Sequence, residues 1–278
     1  MADRSPSRKD THYAKLRRKH RERAIQSGDY KPGVDHLPDG RVWLYGLHAV
    51  EAAINNAART VHGLWASENA LARIAVGDPG DLPFPIYKVH PKDIDKKLGP
   101  DTVHQGVLLE ADALTTATLE DCWAHDLLLV LDQVTDPHNV GAIIRSAVAM
   151  NAGALITTAR HSPTESGVLA KTASGGLEHI KIVTVRNLAN GIQAINERGY
   201  RTVGLDSEGP EDLDKTLVGH KIALVLGAEG KGLRQKTRET VTELARLDMP
   251  GPIKSLNVSN AAALSLYVAR RTIRANTG

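Results

Sequence analysis

Hydrophobic and polar positions fall into two regimes along the chain. Between Arg41 and Asp112 short apolar runs alternate with stretches at helical spacing. RVWLYGLHAVEAAINNA (41–57) predicts a strand or turn passing into an amphipathic helix, and VHGLWAS, PFPIYKVHP with DIDKKLG, and QGVLLEAD continue the alternation. This pattern predicts a small α/β unit over 39–112. ALTTATLED has no apolar period and is rich in Thr, so a linker is expected over 113–122.

From Leu127 the rhythm becomes regular. LLLVLDQV, ALITT, IKIVTV, YRTVGLD, KIALVLG and ARLDMP predict strands, separated by helices near 138–151, 164–174 and 188–198 and followed by a long terminal helix. Several of these strands are almost wholly apolar, as expected when helices cover both faces of a parallel sheet, so 123–278 is expected to be a doubly wound α/β domain. Ligands of such sheets bind beyond the carboxyl ends of the strands. The loops after LLLVLDQV, KIALVLG and ARLDM are therefore the places to look for chemistry.

Composition adds limits. With 41% hydrophobic and 24% charged residues in 278, the chain has enough apolar material for one large domain or two modest ones. The single cysteine, Cys122, forms no intrachain disulfide, and the 12 histidines show no zinc-ligand spacing, which together suggest a reducing compartment and no metal. No secretory h-region opens the chain and no apolar stretch reaches the ~20 residues of a membrane span, so a cytoplasmic protein is expected.

Charge is distributed unevenly. Residues 1–24 carry nine Lys/Arg against three acids, +6, while the whole chain is only +3, so the other 254 residues sum to −3. This basic arm, 1–38, has too little apolar surface to offset the entropy of ordering. Its charge suits either solubility or phosphate contacts.

The three loops differ in how much they say alone. In DQVTDPHNVGAIIRSA, Asp136-Pro137 suits a helix start, and Val140, Ile143, Ala147 and Met150 form a stripe that would face the sheet. Asn139 and Arg145 lie off that stripe, as a cap and a solvated cation or as functional groups. LGAEGKGL offers Gly227, Gly230 and Gly232 for positive φ or close backbone approach, yet matches neither common phosphate-loop pattern. Glu229 sits between glycines, a turn residue or a functional carboxylate. MPGPIKSLNVSNAAALSLY holds more small polar side chains, Ser255, Asn257, Ser259 and Asn260, than one helix cap needs.

Taken in order, the N-x(5)-R of DPHNVGAIIRSA, then LVLGAEGKGL, then MPGPIKSLNVSNAAALSLY resemble the three motifs of the SpoU family of RNA ribose 2′-O-methyltransferases, within the SPOUT superfamily. The unit containing GLHAVEAAI is similar to the substrate-binding domain, itself like ribosomal protein L30e, of the branch acting on guanosine in bacterial 23S rRNA. The resemblance covers about 41–278 and leaves out the arm.

That resemblance implies a deep trefoil knot in the C-terminal domain, with roughly 221–270 threaded through an earlier loop, a topology no periodicity argument predicts. It implies S-adenosylmethionine as methyl donor, contacted at Gly227, Leu247 and Leu256, with Leu247 on the strand before MPGP. It implies a catalytic set of Arg145, Asn139, Glu229, Ser255 and Asn257, with Arg145 beside the ribose hydroxyl and Asn139 orienting it. Because a guanidinium is a poor proton acceptor, Arg145 is expected to act by electrostatics and positioning. It further implies a homodimer acting on RNA, 23S rRNA ahead of tRNA. Asn260 departs from the apolar residue common in the family. A non-catalytic RNA-binding protein, or a nucleotide enzyme using GAEGKG, are the competing classes, and both are separated from this one by whether S-adenosylmethionine binds.

Overall fold

The computed structural model describes residues 37–75, 79–160 and 164–277. The basic arm lies outside the described residues up to position 36.

The first unit contains β1 (Arg41–Tyr45), α1 (Leu47–Asn55), β2 (Val61–Ala66), α2 (Glu68–Leu71), β3 (Ile86–Lys88), α3 (Pro91–Leu98) and β4 (Val107–Asp112). Its four strands are ordered β1-β4-β2-β3; β4 runs antiparallel to both neighbours, and β2 and β3 are parallel.

The second contains β5 (Leu127–Asp132), α4 (Pro137–Ala149), β6 (Ala154–Thr158), α5 (Gly167–Ala173), β7 (Lys181–Val185), α6 (Leu188–Glu197), β8 (Arg201–Leu205), β9 (Glu211–Asp212), α7 (Leu213–Thr216), β10 (Ile222–Gly227), α8 (Gln235–Thr240), β11 (Glu243–Arg246) and α9 (Val258–Thr277). Its seven strands are ordered β7-β6-β5-β10-β8-β11-β9, and every pairing is parallel.

The apolar strands divide their side chains between two layers, as a period of two requires. Leu127, Leu129 and Leu131 of β5, with Ile222, Leu224 and Leu226 of β10, join the layer that includes Ile143 of α4 and Leu266 of α9. Leu128, Val130, Ala223 and Val225 face the opposite layer, with Ile192 and Ile195 of α6. The predicted stripe on α4 is buried at Val140, Ile143 and Ala147 and half-buried at Met150. Arg270 fastens α9 to the sheet: its guanidinium donates to both carboxylate oxygens of Asp126, at 2.7 and 2.9 Å, and to the carbonyls of Met150 and Asn151.

One sequence-based expectation needs correction. ARLDMP is not a strand throughout: β11 ends at Arg246 and Leu247 lies one residue past it, where Pro250 and Pro252 remove ladder donors from the segment that follows. The segment after β4 carries local structure of its own. Ala117 forms a parallel bridge to Val183 beside β7, and residues 120–122 form a 3-10 turn that buries Cys122.

The two sheets share one apolar core. Leu44, Val50, Leu64 and Leu109 of the first unit are continuous with Leu129, Ile143, Leu169 and Leu224. At the junction Gly167 opens α5 against β1: a Cβ there would lie 2.2 Å from Tyr45 Cε1 and 2.7 Å from the Trp43 carbonyl oxygen. Gly167→Ala is therefore expected to destabilise the fold by about 1–3 kcal/mol through overpacking, read as a lower urea midpoint. Among the described residues no helix is long and apolar enough to cross a membrane.

Candidate active site

Because β5, β10, β8 and β11 are parallel neighbours, their carboxyl ends lie along one edge of the sheet. Three loops leave that edge. The first enters α4, whose N-cap is Asp136 (Oδ1 accepts from His138 N at 3.1 Å), with Pro137 in the first turn. Asn139 is thus freed from capping and its amide points elsewhere.

The second loop folds back on itself. Gly232 N donates to Ala228 O at 2.9 Å, and Gly230 and Gly232 take positive φ of 74° and 62°. Gly227 lies so close to the returning strand that a Cβ would sit 2.1 Å from Gly232 C; only glycine permits this turn. The far end of the loop is pinned by Asp132. This fully buried carboxylate at the end of β5 accepts from Arg234 N at 3.0 Å and Arg234 Nε at 2.7 Å.

The third loop runs through 247–257 into α9 and meets the other two. Asn257 Nδ2 donates to Glu229 Oε1 at 2.6 Å and to Asn139 Oδ1 at 3.0 Å, and Asn139 Nδ2 donates to the same Glu229 oxygen at 3.3 Å. Val258 N reaches that oxygen at 3.2 Å, so Glu229 also satisfies an orphan donor and the positive end of α9. Asn257 Oδ1 accepts from Ser259 N and Oγ, at 2.9 and 2.5 Å. Residues 118 and 28 positions apart thus form one polar cluster on the solvent side of the loops.

Apart from Arg145, the remaining candidates lie on the second and third loops. Ser255 and Leu256 are exposed in the third loop, Leu247 is half-buried at its start, and Gly227 opens the second. Arg145 is elsewhere on the same helix as Asn139. Six residues on, it is about 9 Å further along the axis. Its side chain bonds to no described residue, and it lines an open cleft of about 680 Å³ together with His48 of α1 and Ser174 and His179 after α5. The amide of Asn139 is committed to Glu229 and Asn257 and does not orient Arg145.

Sequence reading missed two groups. One is Asp132 with Arg234, which shape the second loop; a lone carboxylate closing an all-apolar strand was the available signal. The other is Arg59, between α1 and β2, whose side chain is 0% exposed. Its Nη1 donates to Glu165 Oε1 at 2.6 Å and to Asp112 O at 2.8 Å, and its Nη2 and Nε bond Glu178. Asn56 Nδ2 adds a bond to Glu178 Oε2 at 2.7 Å, and Glu165 Oε2 accepts from Leu114 N at 2.8 Å. These contacts fasten the small sheet to the large one beneath the cleft. Burial would lower the Arg59 pKa, but the hydrogen bonds and charges of the two carboxylates outweigh it and raise it. Burial raises the Glu165 carboxyl against the opposing pull of Arg59. Cys122 plays no part, since burial pushes its thiol up to about 11.

Comparison with known proteins places this arrangement in context. A family model described as the SpoU rRNA Methylase family matches residues 126–267, and one described as RNA 2′-O ribose methyltransferase substrate binding matches residues 43–117. The chain is 37% identical over 235 residues to a 23S rRNA (guanosine-2′-O-)-methyltransferase of Ralstonia nicotianae, covering 82% of this chain and 94% of the relative. It is 36% identical over 238 residues to the enzyme of that description from Pseudomonas aeruginosa, covering 81% and 94%. Among solved structures it resembles the SpoU methyltransferase AviRb from Streptomyces viridochromogenes in complex with the cofactor AdoMet, with a TM-score of 0.71, 25% identity, and coverage of 84% of this chain and 90% of that one.

Proposed function

The chain belongs to the SpoU rRNA methylase family, and on that premise we propose that it transfers a methyl group from S-adenosylmethionine to the ribose 2′-hydroxyl of a guanosine in 23S rRNA. The observation that carries this reading is the meeting of Asn139, Glu229 and Asn257 at the strand ends, in a chain whose relatives carry that activity in their names.

Gly227, Leu247 and Leu256 are the residues assigned to the cofactor. The fit rests on chemistry: tight loop backbone offers hydrogen-bonding groups, and the two leucines offer apolar surface for a flat base. When bound, S-adenosylmethionine supplies an electrophilic methyl on sulfur. The residues of the chain do the rest. Glu229, held by Asn139, Asn257 and the α9 amide, fixes the geometry of the loops. Ser255 lines the pocket beside them. Arg145 holds the phosphate of the target nucleotide and polarises its 2′-hydroxyl as the oxygen attacks in line; the C–S bond breaks, the O–C bond forms, and the proton leaves to that phosphate or to water.

A target nucleotide bridges the distance between the loop cluster and Arg145, with a second copy of the chain completing the site. Leu264 and Tyr267, about half exposed on α9, support such a homodimer. The reading also includes a deep trefoil knot around 221–270, a small domain over 39–112 like ribosomal protein L30e that receives RNA, a linker over 113–122, a methyltransferase domain over 123–278, and residence in the cytoplasm.

Mass spectrometry of nucleosides from the rRNA and tRNA of a strain lacking this protein tests it. One 2′-O-methylguanosine should vanish from 23S rRNA and return when the purified protein and S-adenosylmethionine are added. Loss from tRNA instead, or no loss, sinks the assignment.

A further inference from the structure

Besides the buried Tyr45, the sheet face turned away from the shared core carries three aromatic rings that the methyl transfer does not use. Trp43 on β1, Trp65 on β2 and Tyr87 on β3 share that face with Leu108, because Trp65 pairs across the strands with both Leu108 and Tyr87 while Leu44 and Leu109 point inward. Tyr87 stacks on Trp65 with centroids 4.8 Å apart and planes inclined by 21°. Trp65 meets Trp43 edge to face at 5.2 Å. Lys97 of α3 places Nζ 5.4 Å from the Trp43 centroid and 5.3 Å from that of Trp65.

Gly63 makes the row possible. A Cβ at this mid-strand position would come within 3.1 Å of the Trp65 ring and 3.4 Å of Tyr87, so its absence lets Trp65 lie along its own strand. Tyr45, Ile94 and Leu108 fill the space beneath. Packing needs are met there, yet the stack ends on an open ring: Tyr87 is 45% exposed on the edge strand β3. A flat π surface beside a cation fits one occupant well, an unpaired nucleobase with its flanking phosphate.

We propose that Tyr87, backed by Trp65 and with Lys97 over the same aromatic row, is a stacking platform for an unpaired base of the RNA substrate. The inference rests on the reading of the chain as an RNA enzyme and adds a binding site outside the methyl-transfer loops. It also explains why a strand interior gives up a side chain at Gly63.

The test compares two single-stranded ribo-oligomers of roughly 12 nucleotides, one of adenosine and one of equal charge with abasic sugars, binding to the full-length protein. The parent should prefer the base-bearing oligomer. Tyr87→Ala should weaken that oligomer by about 5- to 150-fold, leave the abasic one almost unchanged, and keep the slope of log affinity against log salt, since no phosphate contact is lost. Tyr87→Phe should bind like the parent. Equal losses on both oligomers, no loss on either, or an equal loss in Tyr87→Phe overturns the platform. Measuring S-adenosylmethionine binding and rRNA methylation on the same proteins separates the two readings: base preference without methylation sinks the assigned reaction and leaves the platform standing.

Discussion

Arg145→Ala is expected to lower kcat by about 100- to 1,000-fold, the usual cost of removing one group that stabilises developing charge, while S-adenosylmethionine binds as before. The expectation follows from where Arg145 stands. It is exposed on α4, bonded to no described side chain, and lines an open cleft, so its deletion removes little packing. A fall in thermal stability comparable to that of a core substitution would contradict this. Arg145→Lys separates charge from shape. An ammonium keeps the charge but loses the planar fork that grips a phosphate and a hydroxyl together, so the variant should retain at least a tenfold deficit. Near-parental turnover in Arg145→Lys would remove the positioning role.

Arg59→Ala is expected to cost about 3–5 kcal/mol in stability, the range for stripping one partner from a buried ion pair. The guanidinium is fully covered and Glu178 is 3% exposed, so the variant strands two carboxylates, Glu165 and Glu178, without a counter-charge. The sign of the pH effect follows. The Glu165 carboxyl is already raised by burial, with Arg59 pulling it down; without Arg59 it rises further. A carboxyl with a raised folded pKa binds more protons folded than unfolded, so its contribution to stability falls as pH climbs from the ordinary carboxylate value through the raised one. The deficit of the variant should therefore be greatest near neutral pH and shrink toward the ordinary glutamate pKa. Urea unfolding at several pH values measures this, and a deficit independent of pH would show that the carboxylates stay ionised in the variant. Because these residues also fasten the small sheet beside the cleft, affinity for rRNA should drop while S-adenosylmethionine binding persists.

Much of the framework was legible along the chain. The near-continuous apolar runs of β5 and β10 announce a sheet covered on both faces, since only side chains out of water on both sides can be apolar at successive positions. The stripe on α4 gave its buried side, and three loops at strand ends marked where chemistry belongs. Periodicity has less to offer where the signal is short: β9 spans two residues and α7 four, lengths at which no repeat can declare itself, and the apolar Leu247 makes β11 read longer than it is.

The chain by itself thus determined which residues are strand, helix and loop over most of its length, because side-chain periodicity is a local property written in consecutive positions. Tertiary structure alone decided which loops meet: that Asn139 bonds Asn257 and Glu229 and not Arg145, that Arg59 finds Glu165 and Glu178 more than a hundred positions away, and that Trp43, Trp65 and Tyr87 line up on one face. Those contacts depend on strand order and register, which are set by the summed packing of the two sheets and leave no mark at the individual residues they join.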